Sequence, residues 1–156
     1  MRLEKKPRKY DEGAFGTVFF INDDFAVKVF RRKEGRTEDF ARKVMQSEVS
    51  AHEAIQNNTT FLKELTPKYY GQVTIETIFD ENGQDISNDF FLNFAYKMEY
   101  LQGRFMKNPN LYQNACVSEE FKRLNIKYIA DCSCIENNGQ IEKIIDFAME
   151  DFAKFY

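Results

Sequence analysis

The chain has no tryptophan, one histidine, three cysteines and three prolines in 156 residues. These scarcities narrow the chemistry. A lone His52 cannot pair with a second imidazole, and Cys132 and Cys134 are separated by one residue rather than the two of zinc and redox pairs. Together with Cys116 they form an odd set, so the expected compartment is a reducing cytoplasm. The N-terminus lacks the apolar core of a signal peptide, and no apolar run nears the roughly 20 residues that cross a bilayer. No membrane span is expected. An excess of basic charge is also missing, because 22 Lys and Arg face 25 Asp and Glu for a net charge of -3. Nucleic acid is therefore not an expected partner. The short basic stretch Lys5, Lys6, Arg8 and Lys9 reads as a solvated end.

What is abundant is aromatic. Sixteen Phe and eight Tyr supply ample material for the core of one domain or of two small lobes. Residues 8–31 read as strands: Thr17 to Ile21, a turn at Asn22-Asp23-Asp24, then Phe25 to Phe30. Thr37 is a plausible N-cap, with Glu38 and Asp39 suiting the positive end of a helix that runs to about Gln56. Ala41, Val44, Met45, Glu48, His52 and Ile55 fall on one face of it. A helical turn over Thr60 to Leu65 ends at Pro67. Tyr69 to Phe79 and Phe90 to Leu101 read as strands around the turn Asp80 to Gly83. Residues 102–116 are ambiguous, and Ser118 looks like the start of a short helix reaching Leu124. Lys127 to Ile135 and Gln140 to Phe147, joined at Asn137-Asn138-Gly139, carry a hairpin signal. The class is α+β.

Four features carry chemistry. Gly13 and Gly16, three apart between two strands, allow a tight hairpin whose backbone N–H groups approach an anion. Lys28 sits inside the apolar strand Ala26-Val27-Lys28-Val29, either snorkelling at an edge or aimed at fixed negative charge. Glu48 is a carboxylate in an apolar helix stripe and needs a partner. Asp146, in Ile144-Ile145-Asp146-Phe147-Ala148, is a carboxylate at a strand end of the kind Mg²⁺ takes beside phosphates. Each has a plainer reading as a surface charge or turn cap, but opposite charges stranded among apolar neighbours explain each other if they meet.

In this order the features resemble the protein kinase fold. Asp11-Glu12-Gly13-Ala14-Phe15-Gly16-Thr17-Val18 is similar to the family's Gly-rich loop, with Asp11 in place of the first glycine. Ala26-Val27-Lys28 resembles the strand with the phosphate-binding lysine, Glu48 the helix glutamate that pairs with it, and Pro67 to Gly71 the entry to the next strand. Tyr96-Lys97-Met98-Glu99-Tyr100-Leu101 resembles the last small-lobe strand and hinge, with Met98 as gatekeeper and the backbone from Glu99 to Leu101 facing adenine. Ile144-Ile145-Asp146-Phe147 is similar to Asp-Phe-Gly, with Ala148 for the glycine. The resemblance implies a kinase-like small lobe, an antiparallel sheet plus one long helix, over residues 1–101. A much reduced large lobe would occupy residues 102–156. It implies ATP and Mg²⁺ as cofactors. Gly13, Ala14, Phe15, Gly16, Val18, Ala26, Lys28, Met98, Glu99 and Leu101 would hold the nucleotide, and Asp146 with Asp131 the metal.

The chain departs from the family at the catalytic loop, which in kinases reads His-Arg-Asp followed by Asn five residues later. Asp131 as the catalytic Asp puts Glu136 at the Asn position. With the hairpin placed before Asp146, Asp131 falls near the metal-binding Asn, and the base would fall at Asn125 or Ile126. Only ten residues follow Asp146, too few for an activation segment and peptide-binding helices. The aromatic tail Phe147, Phe152, Phe155 and Tyr156 either packs inward or docks a partner, and packing is the expectation. Small phage and bacterial effector kinases resemble this compactness, which would place the protein in a host cytoplasm. Two functions follow from the resemblance: ATP-dependent transfer to a protein hydroxyl, with Lys28, Glu48, Asp131 and Asp146 as catalytic residues, or a pseudokinase that acts by binding a protein. An unrelated α+β domain is the third reading.

Overall fold

The computed structural model describes residues 1–108 and 111–152, so Phe155 and Tyr156 of the aromatic tail lie outside the described residues. The fold is mixed α+β. Its backbone divides into two compact units, Met1–Met45 with Tyr70–Tyr100, and Gln46–Tyr69 with Leu101–Tyr156.

In the first unit the chain enters as β1 (Arg2–Glu4), then forms β2 (Tyr10–Glu12), β3 (Gly16–Phe20) and β4 (Phe25–Arg31). The β3–β4 connection is tight because Asn22 Oδ1 accepts from the amides of Asp24 (2.8 Å) and Phe25 (2.9 Å), the local bond that suits Asn to turns. After the helix come β5 (Tyr69–Val73), β6 (Thr77–Phe79) and β7 (Phe90–Glu99). Five strands make one sheet in the order β2-β3-β4-β7-β5. One face carries Phe19, Val27, Val29 and Ala95, which join Leu3, Ile75, Ile78 and Phe90 in a buried core.

Two expectations change here. Tyr69 to Phe79 is not one strand: Ile75 turns inward, its amide donating to Leu92 O at 2.9 Å, and β6 leaves the sheet to pair in parallel with β1. The N-terminus also pairs where no strand is expected, since Leu3 is 3% exposed and sits opposite Ile78, while Lys6, Arg8 and Lys9 are solvated as the sequence suggests. Strands of three residues carry too little alternation to announce themselves.

Helix α1 (Glu38–Gln56) starts where the sequence places it, with the Phe40 amide donating to Thr37 Oγ1 at 3.1 Å. All six residues of the predicted stripe are buried. In the second unit α2 (Leu62–Leu65) is the single turn before Pro67. β8 (Met106–Lys107), α3 (Ala115–Arg123), β9 (Ser133–Asn137) and β10 (Gln140–Ile145) follow. The core is Ala51, Ile55 and Leu62 with Phe121, Ile126, Ile144, Phe147 and their neighbours. The short helix begins at Ala115 rather than Ser118, since Asn114 Oδ1 takes the Val117 amide at 3.2 Å. The hairpin forms with Asn138 and Gly139 both at positive φ, as a two-residue primed turn requires. Its first strand starts at Ser133 rather than Lys127, because Tyr128 instead exchanges both backbone bonds with Ala148. Among the described residues no helix is long and apolar enough to cross a membrane.

Candidate functional site

Strand register settles which side chains of the first unit share a surface. Directly opposed residues of an antiparallel pair project to the same face. Val18 lies opposite Lys28 and Phe20 opposite Ala26, while across the next ladder Lys28 faces Tyr96 and Ala26 faces Met98. Val18, Ala26, Lys28 and Met98 therefore stand on one face, the reverse of the face carrying Val27 and Val29. Ala26 is buried and the other three are half-buried, with Lys28 Nζ 5.2 Å from the Phe30 ring centroid. Glu99, opposite Phe25, projects to the other face, and Leu101 belongs to the second unit.

The glycine turn joins β2 to β3 and is held by its carbonyls. Gly13 N donates to Gly16 O at 2.9 Å, and the Arg31 amide donates to Phe15 O at 2.9 Å. The Arg31 guanidinium donates to Gly13 O, Gly16 O (3.0 Å) and Thr17 Oγ1 (3.2 Å), and Arg36 Nη1 donates to Ala14 O at 2.7 Å. All four carbonyls of residues 13–16 are thus occupied. The amides of Ala14 and Phe15 donate to no group among the described residues, and paired donors of this kind are what a phosphate oxygen accepts from. Phe15 fixes the tip by packing edge-on to Phe40 at 5.9 Å. The two glycines differ. Neither is needed for a positive φ, but a Cβ on Gly16 would sit 2.7 Å from Val29 O and 3.3 Å from Lys28 Cε, whereas one on Gly13 would meet only Gly16 O at 3.7 Å. Gly16 lets the turn close over the lysine stem.

Arg31 and Arg36 were not legible as site residues. Only the fold brings them under the turn.

In the second unit Glu48 is 9% exposed, and among the described residues no buried side-chain nitrogen or oxygen lacks a hydrogen-bond partner, so it is not a stranded charge. The segment after Asp146 is tied to the helix turn that carries Glu48. Met149 N donates to Ser47 O at 3.2 Å, and Glu150 N donates to Ser47 Oγ at 2.9 Å. Phe147 packs between the rings of His52 (4.9 Å) and Phe121 (5.5 Å), which gives the lone histidine a packing role. This anchoring holds Asp146, exposed and at φ 68°, in a left-handed conformation uncommon for a residue with a side chain.

Asp131 lies two residues before β9. Tyr128 Oη donates to its Oδ2 at 2.7 Å, and Lys107 Nζ lies 3.8 Å from its Oδ1. Burial and the Asp131 carboxylate push the Tyr128 phenol above its ordinary value. Burial also raises the Cys132 thiol, with Cys134, Asp146 and Asp131 adding to that rise. Ile126, five residues before Asp131, is 1% exposed. Among the described residues no three His, Cys, Asp or Glu side chains gather as a metal centre. Compared with known proteins, the chain matches no described family, no curated protein and no solved structure.

Proposed function

We propose that the chain is a nucleotide-binding protein of the protein-kinase type, taking ATP with Mg²⁺. The observation that carries this reading is the common face of Val18, Ala26, Lys28 and Met98 beside a turn with two unoccupied backbone donors. An apolar row of Val18, Ala26 and Met98 suits a flat base, and an ammonium next to free amides suits phosphates. The donor set fits the metal too. Mg²⁺ is commonly held by one or two carboxylates plus the phosphates themselves, so Asp146 and Asp131 suffice without a third protein ligand. When bound, the metal would neutralise charge on the phosphates. The chain's own contributions are positioning ones: Gly16 admits the close turn, Lys28 takes the phosphates, and the Phe147 anchor fixes Asp146.

Transfer to a protein hydroxyl requires a base. Asp131 is the candidate, an exposed carboxylate oriented by the Tyr128 phenol. A second reading, a pseudokinase that binds nucleotide and then a protein, is favoured by Ile126. If Asp131 stands at the metal-binding position, the base position is a buried isoleucine that cannot accept a proton.

The test begins with a thermal melt. ATP with Mg²⁺ raises the melting temperature, and Lys28→Ala abolishes the rise while leaving the melt without ligand in place. No rise in the wild-type protein at saturating nucleotide defeats the proposal. Radiolabelled γ-phosphate transfer then separates the readings: transfer lost in Asp131→Asn and in Asp146→Ala marks the enzyme, and binding without transfer marks the pseudokinase.

A further inference from the structure

A cavity lies in the first unit, and Lys28 does not line it. It encloses about 380 Å³ and is lined by Arg2, Lys6, Arg8 and Lys9, with Phe20 and Tyr100 as an aromatic wall. Its floor is apolar and fixed, since Leu3 and Phe19 are 3% and 1% exposed. Its walls are rigid as well. Phe20 N donates to Lys9 O at 2.9 Å, Tyr100 N donates to Asp24 O at 2.9 Å, and the Phe20 and Tyr100 rings stack at 4.5 Å.

The charge of the lining runs against that of the chain. Four cations face two carboxylates, Glu4 and Asp23, in a protein of net charge -3. Glu4 is already engaged by Lys6 (3.2 Å) and Arg2 (3.9 Å). Arg8 and Lys9 make no ion pair among the described residues. Like charges gathered around a hollow repel one another, and the arrangement is favourable only when an anion fills it.

Arg8 supplies the second observation. Lys6, Pro7, Arg8 and Lys9 form a turn closed by Lys9 N donating to Lys6 O at 3.0 Å, and Arg8 holds φ at 61° in its third position. That position favours glycine, with asparagine next. A long cationic side chain kept where glycine is easier is a local cost with no packing return, because Arg8 is exposed.

We propose that this cavity binds a compact ligand carrying clustered phosphates, either a free polyphosphorylated solute or the headgroup of a polyphosphorylated lipid. Guanidinium and ammonium groups converging on a bounded hollow match phosphate oxygens on a small scaffold, whereas a nucleic acid would need an open basic stripe. The site is independent of the nucleotide reading, as Lys28 does not line it.

Calorimetric titration of the full chain with pyrophosphate and with inositol hexakisphosphate, at near-physiological salt, tests the proposal. Saturable binding is expected, and Arg8→Gly should weaken it roughly tenfold to a hundredfold, the loss of one charge-assisted contact. Arg8→Gly relieves the turn, so its melting temperature should hold or rise, which excludes misfolding as the cause. Lys9→Ala should weaken binding as well, and running each titration in the Lys28→Ala chain keeps the proposed nucleotide face from contributing to the signal. Co-sedimentation with phosphatidylcholine vesicles, with and without phosphatidylinositol bisphosphate, separates the sources: capture by the doped vesicles alone marks the lipid headgroup, and binding of the soluble anions alone marks the solute. Absence of saturable binding to solute and vesicle overturns the proposal. So does binding that survives Arg8→Gly with Lys9→Ala in that chain.

Discussion

The two units hold their chains by different means. In the first, backbone ladders do the positioning: one register fixes Val18 against Lys28 and Ala26 against Met98 together. In the second, the strands are short and the positions of Asp131 and Asp146 depend on side chains, on Tyr128 for one and on Phe147 and Ser47 for the other. A register either exists or does not, while a side-chain anchor can be removed one contact at a time. The second unit should therefore lose its site geometry to single side-chain truncations that leave its backbone pairing intact, and the first only to substitutions that disturb the ladder or its turn.

The largest effect that bears on this difference is in the second core. Phe121 is fully buried and packs on Phe147, so Phe121→Ala should cost about 3–5 kcal/mol. Hydrogen exchange of the β9 and β10 amides should then accelerate ahead of the β3 and β4 amides. Equal acceleration in both sets would mean one cooperative body and would dissolve the distinction. Next in size is a glycine pair in the first unit. Gly16→Ala drives a Cβ against the Val29 carbonyl and should cost about 1–3 kcal/mol, together with the nucleotide-dependent stabilisation. Gly13→Ala meets only ordinary contact and should melt like the parent chain. Denaturant titration of the two variants side by side reads the contrast directly.

The same division explains what was legible in the sequence. The long helix, its Thr37 cap and its buried stripe follow from a 3.6-residue period sustained over 19 residues. The strands around Lys28 follow from β-branched alternation and the Asn22 turn. The Asn138-Gly139 hairpin was legible because that turn chemistry is local. The missed parts are non-local or too short. β1 and β6 have three residues each and find each other across more than seventy positions, and Arg31 reaches the glycine turn only through the sheet. Asn114 rather than Ser118 caps α3 because a cap depends on where the preceding loop arrives, and residues 102–114 have little period of their own. Within the first unit, the shared face of Val18, Ala26, Lys28 and Met98 follows from strand alternation, while Glu99 falls on the other face. The phenol that orients Asp131 was not legible, since a tyrosine in an apolar stretch reads as core.

A smaller effect compares the two caps. Thr37→Ala and Asn114→Ala each remove one bond to a first-turn amide and should each cost about 1 kcal/mol. The caps are chemically alike, but α1 has 19 residues and α3 has 9, so the loss is spread over fewer turns in α3. Circular dichroism of the two variants should show the greater proportional fraying in Asn114→Ala, by slower loss in the Thr37→Ala melt.

The smallest expected effects lie at opposite ends of the pH scale. In the first unit, Lys5 lies 2.5 Å from Glu12 and lowers its pKa by hydrogen bonding, so the folded chain gives up that proton more readily than the unfolded one. The pair's contribution is present above the ordinary value of 4.5 and is lost as pH falls through the lower folded value. In the second unit the Tyr128 phenol is raised, first by burial and then by Asp131. Above the ordinary value of 10.0 the unfolded state loses the proton first, binds fewer protons than the folded state, and stability falls as pH rises. Both groups are partly solvated, so each slope should stay well below the limit of about 1.4 kcal/mol per pH unit for one fully shifted group. Denaturant midpoints across the pH range should show Glu12→Gln flattening only the acid limb and Tyr128→Phe only the alkaline one. If Tyr128→Phe leaves the alkaline limb unchanged, the phenol does not hold Asp131 in solution, and the second unit's carboxylate is oriented by Lys107 alone.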